Sequence, residues 1–227
     1  MVVIVSDIGL VELVDHMVVD PVQKVAMSAR VSMAGDKKVH TREQNEKLAR
    51  YLASHQPPHT SPFRHSYITL HVECPEFVAR QWYKHVVGGE YTYKDTGWNE
   101  VSGRYLEMQD FWMPTYFHLQ SPSKKQGGTD EITKDYDLVR AYAEAVNKAH
   151  EVYNQLIAAG VAREEARAVL PLSMMTRFYW TASMQAVKHF VNLRNHPDAQ
   201  VQIRNFAVAV DSICSSHYGK AWEVFNG

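Results

Sequence analysis

Between Phe77 and Tyr105 the chain reads FVARQWYKHVVGGEYTYKDTGWNEVSGRY. Arg80, Lys84, His85 and Arg104 share this stretch with Gln81, Glu100 and Ser102. Arg80 and Lys84 are four residues apart, as are Gln81 and His85. A helix would therefore put each pair on one face. The later run Glu100-Val-Ser-Gly-Arg-Tyr is more polar than core filling requires. A hydroxyl, a glycine and an arginine in succession can bind an anion through side-chain and backbone donors.

Other arginines stand in apolar or aromatic surroundings: Arg167 in EEARAVLPL, Arg177 in MMTRFYW, Arg194 in HFVNLRN, and Arg204. Surface ion pairing and snorkelling account for such residues. A phosphate and a planar base, each gripped by a guanidinium fork, account for them equally well. His55, His59 and His65 are separated by Pro57, Pro58 and Pro62, with no Cys or carboxylate at ligand spacing. They read as structural histidines, and no metal site is expected. His85 and His189 read as packing or hydrogen-bonding histidines near the arginines. Cys74 stands by a helix start, where a thiolate could be stabilised, but a small buried residue is the plainer reading. Gly88-Gly89 fits neither phosphate-loop pattern. Tyr91, Tyr93 and Trp98 could stack on a flat heterocycle or anchor a hairpin.

Composition bounds the class. The 227 residues are 45% apolar and 22% charged, with net charge −1 and pI near 6.9. That suits one globular domain, 1–227, with a sizeable core. A nucleic-acid binder would more often be basic, so no nucleic-acid partner is expected. Two cysteines suggest no disulfide framework, and a reducing cytoplasm is the simpler location. No apolar run reaches spanning length, so no membrane partner is expected either. MVVIVSDIGLVELVD lacks a basic leader and reads as a first strand and turn.

The elements that must position these residues follow from pattern. A strand is expected over Val2–Val5, and helices over Pro21–Val31 and Thr41–His55, the latter with a Thr41/Gln44 capping box. A strand over Ser66–Glu73 precedes a helix that starts at Pro75, carries Arg80 and Lys84, and ends at Gly88-Gly89. Phe111–Leu119 reads as extended and Ser121–Gly128 as a mobile loop. A long helix is expected over Thr129–Ala159, a short one over Arg163–Leu170, then helices over Ala182–Asn195 and Asp198–Ser216. The result is a helix-rich α+β domain.

The segments GLVELVD, SARVS, SPFRH, FVARQW, NEVSGRY, VAREEARAVLPLSMMTRFYW and FVNLRN occur in one order along nearly the whole chain. In motif and spacing they resemble the flavin-dependent thymidylate synthases, the ThyX family. The resemblance implies a small sheet with long helices packed against it, and a homotetramer whose active sites draw on several subunits. The implied ligands are dUMP, FAD, NADPH and 5,10-methylenetetrahydrofolate. Gln81, Lys84, Glu100, Ser102, Gly103, Arg104 and Arg167 match positions around dUMP and its phosphate. Arg194 matches the arginine at the uracil edge, where it would favour the N3-ionised base and activate C5.

On the flavin side the implied residues are Ser61, Lys84, His85, Val86, Ser183, Gln185 and His189. Here the chain departs from its family. Where the motif has Arg-His-Arg and then seven residues before Ser, this chain has Lys84-His85-Val86 and then fifteen before Ser102. An inserted segment, about 87–98, is implied. Arg64 stands where a glutamate is expected, and Ser183, Gln185 and His189 replace Asn, Arg and Asn. The expected reaction is C5 methylation of dUMP to dTMP. Two alternatives remain. One is 5-hydroxymethylation of dUMP, or with less support dCMP, if flavin delivers no hydride. The other is a nucleotide-binding protein without catalysis.

Overall fold

The structure, a computed structural model, describes residues 1–17, 19–31, 38–85, 97–123, 127–133 and 135–226. Its strands are β1 (Val2–Val5), β2 (Gly9–His16), β3 (Tyr67–Pro75), β4 (Trp98–Glu100), β5 (Phe117–Gln120), β6 (Gly128–Thr133) and β7 (Met175–Ser183). Five of them form one antiparallel sheet in the order β1-β2-β3-β7-β4, while β5 and β6 pair as a separate hairpin. The central pair runs in register from Tyr67↔Ser183 to Pro75↔Met175. Alternation sets its faces. Ile68, Leu70, Val72, Phe178 and Trp180 point into the core, while Thr69, His71, Tyr179 and Thr181 point away from it.

Helices cover the apolar face. They are α1 (Pro21–Arg30), α2 (Arg42–Ser54), α3 (Glu76–Trp82), α4 (Tyr136–Ala158), α5 (Arg163–Ala166), α6 (Met184–Arg194), α7 (Val201–Tyr218) and α8 (Lys220–Asn226). Single-turn 3-10 segments occupy Ser61–His65 and Arg167–Val169. At the core's centre Trp82 of α3 stacks on Phe190 of α6, with ring centroids 4.2 Å apart. Trp82 also meets Phe178 and Trp180 edge-on at 5.6 Å, and Phe206 of α7 at 6.0 Å. One indole thus ties α3 to two helices and the sheet. Among the described residues, no helix is long and apolar enough to cross a membrane.

Most expected elements are present, including the Thr41/Gln44 capping box on α2. Two readings need correction. Thr129–Thr133 belongs to β6, not to the long helix, which starts only at Tyr136. Thr129, Ile132 and Thr133 are β-branched and favour a strand, and Asp135 caps the helix by accepting from the Asp137 and Leu138 amides. The helix carrying Arg80 stops at Trp82, so Lys84 and His85 lie beyond its end and do not share a helical face with Arg80 and Gln81. Gly88-Gly89, its expected stop, falls outside the described residues. Two strands were not anticipated as such. β2 falls where a turn was expected after Val2–Val5, and most of β7 lies where no element was expected.

Gly97 shows why glycine leads into β4. Its φ is +61°, and a Cβ there would stand 2.5 Å from the Thr181 carbonyl oxygen of the neighbouring strand. Of the inserted segment, Gly97 and Trp98 are described; Trp98 belongs to β4 and stacks on Phe178 at 3.7 Å.

Because Trp82 is fully buried, Trp82→Ala is expected to cost about 3–5 kcal/mol of unfolding free energy in a denaturant titration. Trp82→Phe should cost clearly less, since it keeps the stack and removes an indole N–H that has no partner. Equal losses for the two variants would contradict this account of the core.

Candidate functional site

The first group of side chains lies where α3 and α6 end side by side. A helix leaves its last carbonyls without intrahelical donors. The Gln81 carbonyl is one of these, and Arg194 Nη2 donates to it at 2.9 Å. Arg194 Nε donates to His85 Nε2 at 3.3 Å. Two of the guanidinium's five N–H groups are thereby used for orientation, leaving the rest for a ligand. Gln81 is held in turn: its Nε2 donates to Gln200 Oε1 at 2.7 Å and to the Phe77 carbonyl at 3.2 Å. Gln81, Asn192, Arg194 and Gln200 line a cleft of about 590 Å³. Beside it, Phe77, Trp112, Phe117 and Tyr142 line a second hollow of about 500 Å³.

His85 is 3% exposed. Burial, then the Arg194 charge, then His189 at a ring distance of 5.2 Å, push its pKa down to about 4. It is therefore neutral at physiological pH. Accepting at Nε2 places its proton on Nδ1. That buried N–H makes no well-formed hydrogen bond among the described residues, and the nearby Gln81 carbonyl favours the protonated ring less than burial disfavours it. An orphaned buried donor beside a cleft fits a ligand that brings an acceptor.

The second group is a tight turn after β4. Ser102 Oγ accepts from the Arg104 amide and from Arg104 Nε, both at 3.3 Å. Gly103 is buried under Arg167: a Cβ there would lie 3.3 Å from Arg167 Cδ. Arg104 and Arg167 thus flank one turn, both exposed. Neither has a carboxylate partner among the described residues, whereas the neighbouring Arg163 pairs with Glu107 at 3.4 Å. Two guanidiniums without a carboxylate among the described residues, a hydroxyl and a close-packed glycine have the donor chemistry to hold an anion.

Lys84 and Glu100 meet in a third hollow of about 560 Å³, with Glu76, Arg80, Tyr83 and Trp98. Glu100 accepts from Thr176 Oγ1 at 2.6 Å and from Trp98 Nε1 at 3.0 Å. Burial and then the Glu100 charge raise the pKa of Glu76.

The residues expected on the flavin side flank α6. Ser61 opens the 3-10 turn and is exposed; Gln185 and His189 share the solvent-facing side of the helix. Ser183 is 1% exposed, and its hydroxyl caps α6 by accepting from the Ala186 amide at 3.2 Å. It supports the helix rather than facing a ligand. Val86 lies outside the described residues.

The structure therefore joins Gln81, His85 and Arg194, and separately joins Ser102, Gly103, Arg104 and Arg167. Among the described residues no hydrogen bond or ion pair links the two groups. Sequence reasoning missed Gln200 and Asn192. Asn192 was accessible as the position seven residues after Gln185 on the same helix face. Cys74 and Cys214 are both fully buried, and burial raises both thiol pKa values, so neither is poised as a thiolate. His55 packs on His59 at 4.3 Å and bonds the Pro57 carbonyl.

The sequence matches the family described as thymidylate synthase complementing protein over residues 12–218. It is 36% identical to the flavin-dependent thymidylate synthase of Thermotoga neapolitana over 222 residues, 97% of this chain and 92% of that protein. Identity to the flavin-dependent thymidylate synthase of Thermus thermophilus is also 36%, over 97% of this chain and 77% of that one. Among solved structures, the UMP/dUMP methylase PolB from Streptomyces cacaoi, bound with 5-Br dUMP, superposes with a TM-score of 0.77 at 31% identity. The match covers 95% of this chain and 94% of PolB.

The depressed His85 pKa has a stability consequence. The unfolded chain takes up a proton near pH 6.5 and the folded chain only near pH 4, so His85 contributes a loss of stability as pH falls through that window. His85→Gln should flatten the fall in denaturation midpoint between pH 6.5 and pH 4. An unchanged slope would contradict the assignment of a buried neutral imidazole.

Proposed function

The chain belongs to the thymidylate synthase complementing protein family, and on that premise we propose that it is an enzyme methylating C5 of dUMP to give dTMP. The carbon donor is 5,10-methylenetetrahydrofolate, and NADPH is the reductant that recharges a bound flavin. When bound, reduced flavin supplies the hydride that completes the methyl group. The observation that carries the reading is Arg194, held by the α3 carbonyl and a neutral histidine so that its remaining donors face a cleft.

The protein's own part is electrostatic. Arg194, catalytic in this reading, sets its guanidinium against the pyrimidine edge and stabilises negative charge on the ionised base, which makes C5 nucleophilic. Gln81 fixes the same edge. No thiolate is needed, which suits a chain whose two cysteines are buried and protonated. Ser102, Gly103, Arg104 and Arg167 hold the phosphate, while Glu100 and Lys84 border the sugar. Ser61, Lys84, His85, Gln185 and His189 would hold FAD, with Ser183 keeping α6 in place. The orphaned His85 Nδ1–H fits a cofactor rich in acceptors.

One nucleotide must touch both arginine groups, yet among the described residues of one chain no hydrogen bond or ion pair joins them. This supports a homotetramer in which one subunit offers Arg194 and Gln81 and another offers the Ser102–Arg104 turn with Arg167. Arg194→Ala and Arg104→Ala should each lower turnover by about 10²–10³-fold. Co-expressed in one cell, the two variants should form mixed oligomers that regain part of the activity, because some sites then contain neither lesion. Mixed oligomers with no recovery would rule out shared sites. As PolB is a UMP/dUMP methylase, both nucleotides belong in that assay.

A further inference from the structure

The edge strand β4 pairs with β7 in a register that sets Trp98 opposite Trp180 and Glu100 opposite Phe178. Side chains two apart on a strand share a face. Trp98 and Glu100 therefore stand on the same side of the sheet as Thr176, Phe178 and Trp180, all three of which are buried. A carboxylate on the core-facing side of a strand needs hydrogen-bond donors. Glu100 has two, and both are neutral. Thr176 Oγ1 donates to Oε1 at 2.6 Å, and Trp98 Nε1 donates to Oε2 at 3.0 Å.

Both donors are themselves held. Thr176 is 3% exposed. The Trp98 indole stacks on Phe178 at 3.7 Å and meets Tyr83, at the end of α3, edge-on at 6.4 Å. Glu100 itself is exposed. Neither donor neutralises its charge, and among the described residues no cation pairs with it; Arg80 Nε reaches Glu76 instead, at 3.4 Å. Glu76 feels the Glu100 charge, which adds to burial in raising its pKa. Each oxygen of an ionised carboxylate accepts more than one hydrogen bond, so Glu100 keeps acceptor capacity after both contacts are made. It borders the hollow that Lys84 and Arg80 also line. An exposed glutamate without such support would lose rotamer freedom on meeting a ligand. Two hydrogen bonds and an aromatic stack remove that freedom during folding.

We propose that Trp98 and Thr176 are positioning residues for the nucleotide sugar: they clamp Glu100 so that its free lone pairs accept a hydrogen bond from a sugar hydroxyl. The proposal rests on the nucleotide reading above, which sets Glu100 beside the sugar, and identifies what aims it there. The competing role for Trp98 is purely structural, through its stack on Phe178, and the test must separate the two.

Purified wild type, Trp98→Phe, Thr176→Val and Thr176→Ser would be titrated by calorimetry with dUMP and with a dideoxyuridine monophosphate, which keeps base and phosphate but has no sugar hydroxyl. Trp98→Phe keeps a ring over Phe178 and removes the N–H. Thr176→Val keeps the shape and removes the hydroxyl, which Thr176→Ser restores. Trp98→Phe and Thr176→Val should each bind dUMP about 3- to 10-fold more weakly, yet bind the dideoxy nucleotide as wild type does. Thr176→Ser should bind both as wild type does. In turnover the two losses should appear in KM, with kcat little changed. Equal losses for the two nucleotides, or no loss with dUMP, would overturn the proposal and leave the nucleotide reading standing. A wild type that binds neither nucleotide would refute that reading and the proposal with it.

Discussion

The stack of Trp82 on Phe190 is the contact on which the candidate site depends. It brings the ends of α3 and α6 together, and only because they meet can Arg194 reach the Gln81 carbonyl and His85. A guanidinium on a free helix end would sample many rotamers and lose that freedom on binding. Here the cost is met during folding. The sheet contributes by holding the aromatic floor: Phe178 and Trp180 sit under Trp82, and Trp98 of the edge strand stacks on Phe178. From Trp98 the chain runs straight to Glu100 and the Ser102–Arg104 turn. One aromatic layer therefore positions both arginine groups, although they do not touch.

The electrostatics follow from what is missing around these groups. The chain as a whole is nearly neutral, and several of its surface cations, among them Arg42, Arg140 and Lys148, have carboxylate neighbours. Arg104 and Arg167 do not. Local concentration of unpaired positive charge at two places, rather than a basic surface everywhere, suits small anions and not a nucleic-acid backbone. His85 adds a further device. Being neutral, it accepts a hydrogen bond from Arg194 without opposing its charge, which a protonated histidine in that position would do.

Much of this was legible in the chain. The α+β class, the helices α1, α2, α6 and α7, and the pairing of Ser102 and Arg104 with Arg167 follow from motif order, caps and residue chemistry. Two features were not. β7 alternates in burial from Thr176 to Ala182, but its exposed face carries Arg177 and Tyr179, and its aromatic density resembles a helix stripe. Long-range pairing with β3 decides it, and no local signal reports that. The end of α3 at Trp82 was hidden as well, because QWYKH continues a good helical pattern. The chain leaves the helix there, and His85 is then held by Arg194, 109 residues away in sequence. The contact between Arg64 and Gln185, 121 residues apart, was beyond reach for the same reason.

The central claim is a chemical one, that this chain moves a one-carbon unit to C5 of dUMP and reduces it to methyl. Mass spectrometry of the nucleotide product tests it most directly. The purified protein would be incubated with dUMP and methylenetetrahydrofolate, with and without FAD and NADPH. The account predicts dTMP, formed only when FAD and NADPH are both present. Accumulation of 5-hydroxymethyl-dUMP without NADPH, or nucleotide binding with no product at all, would contradict it.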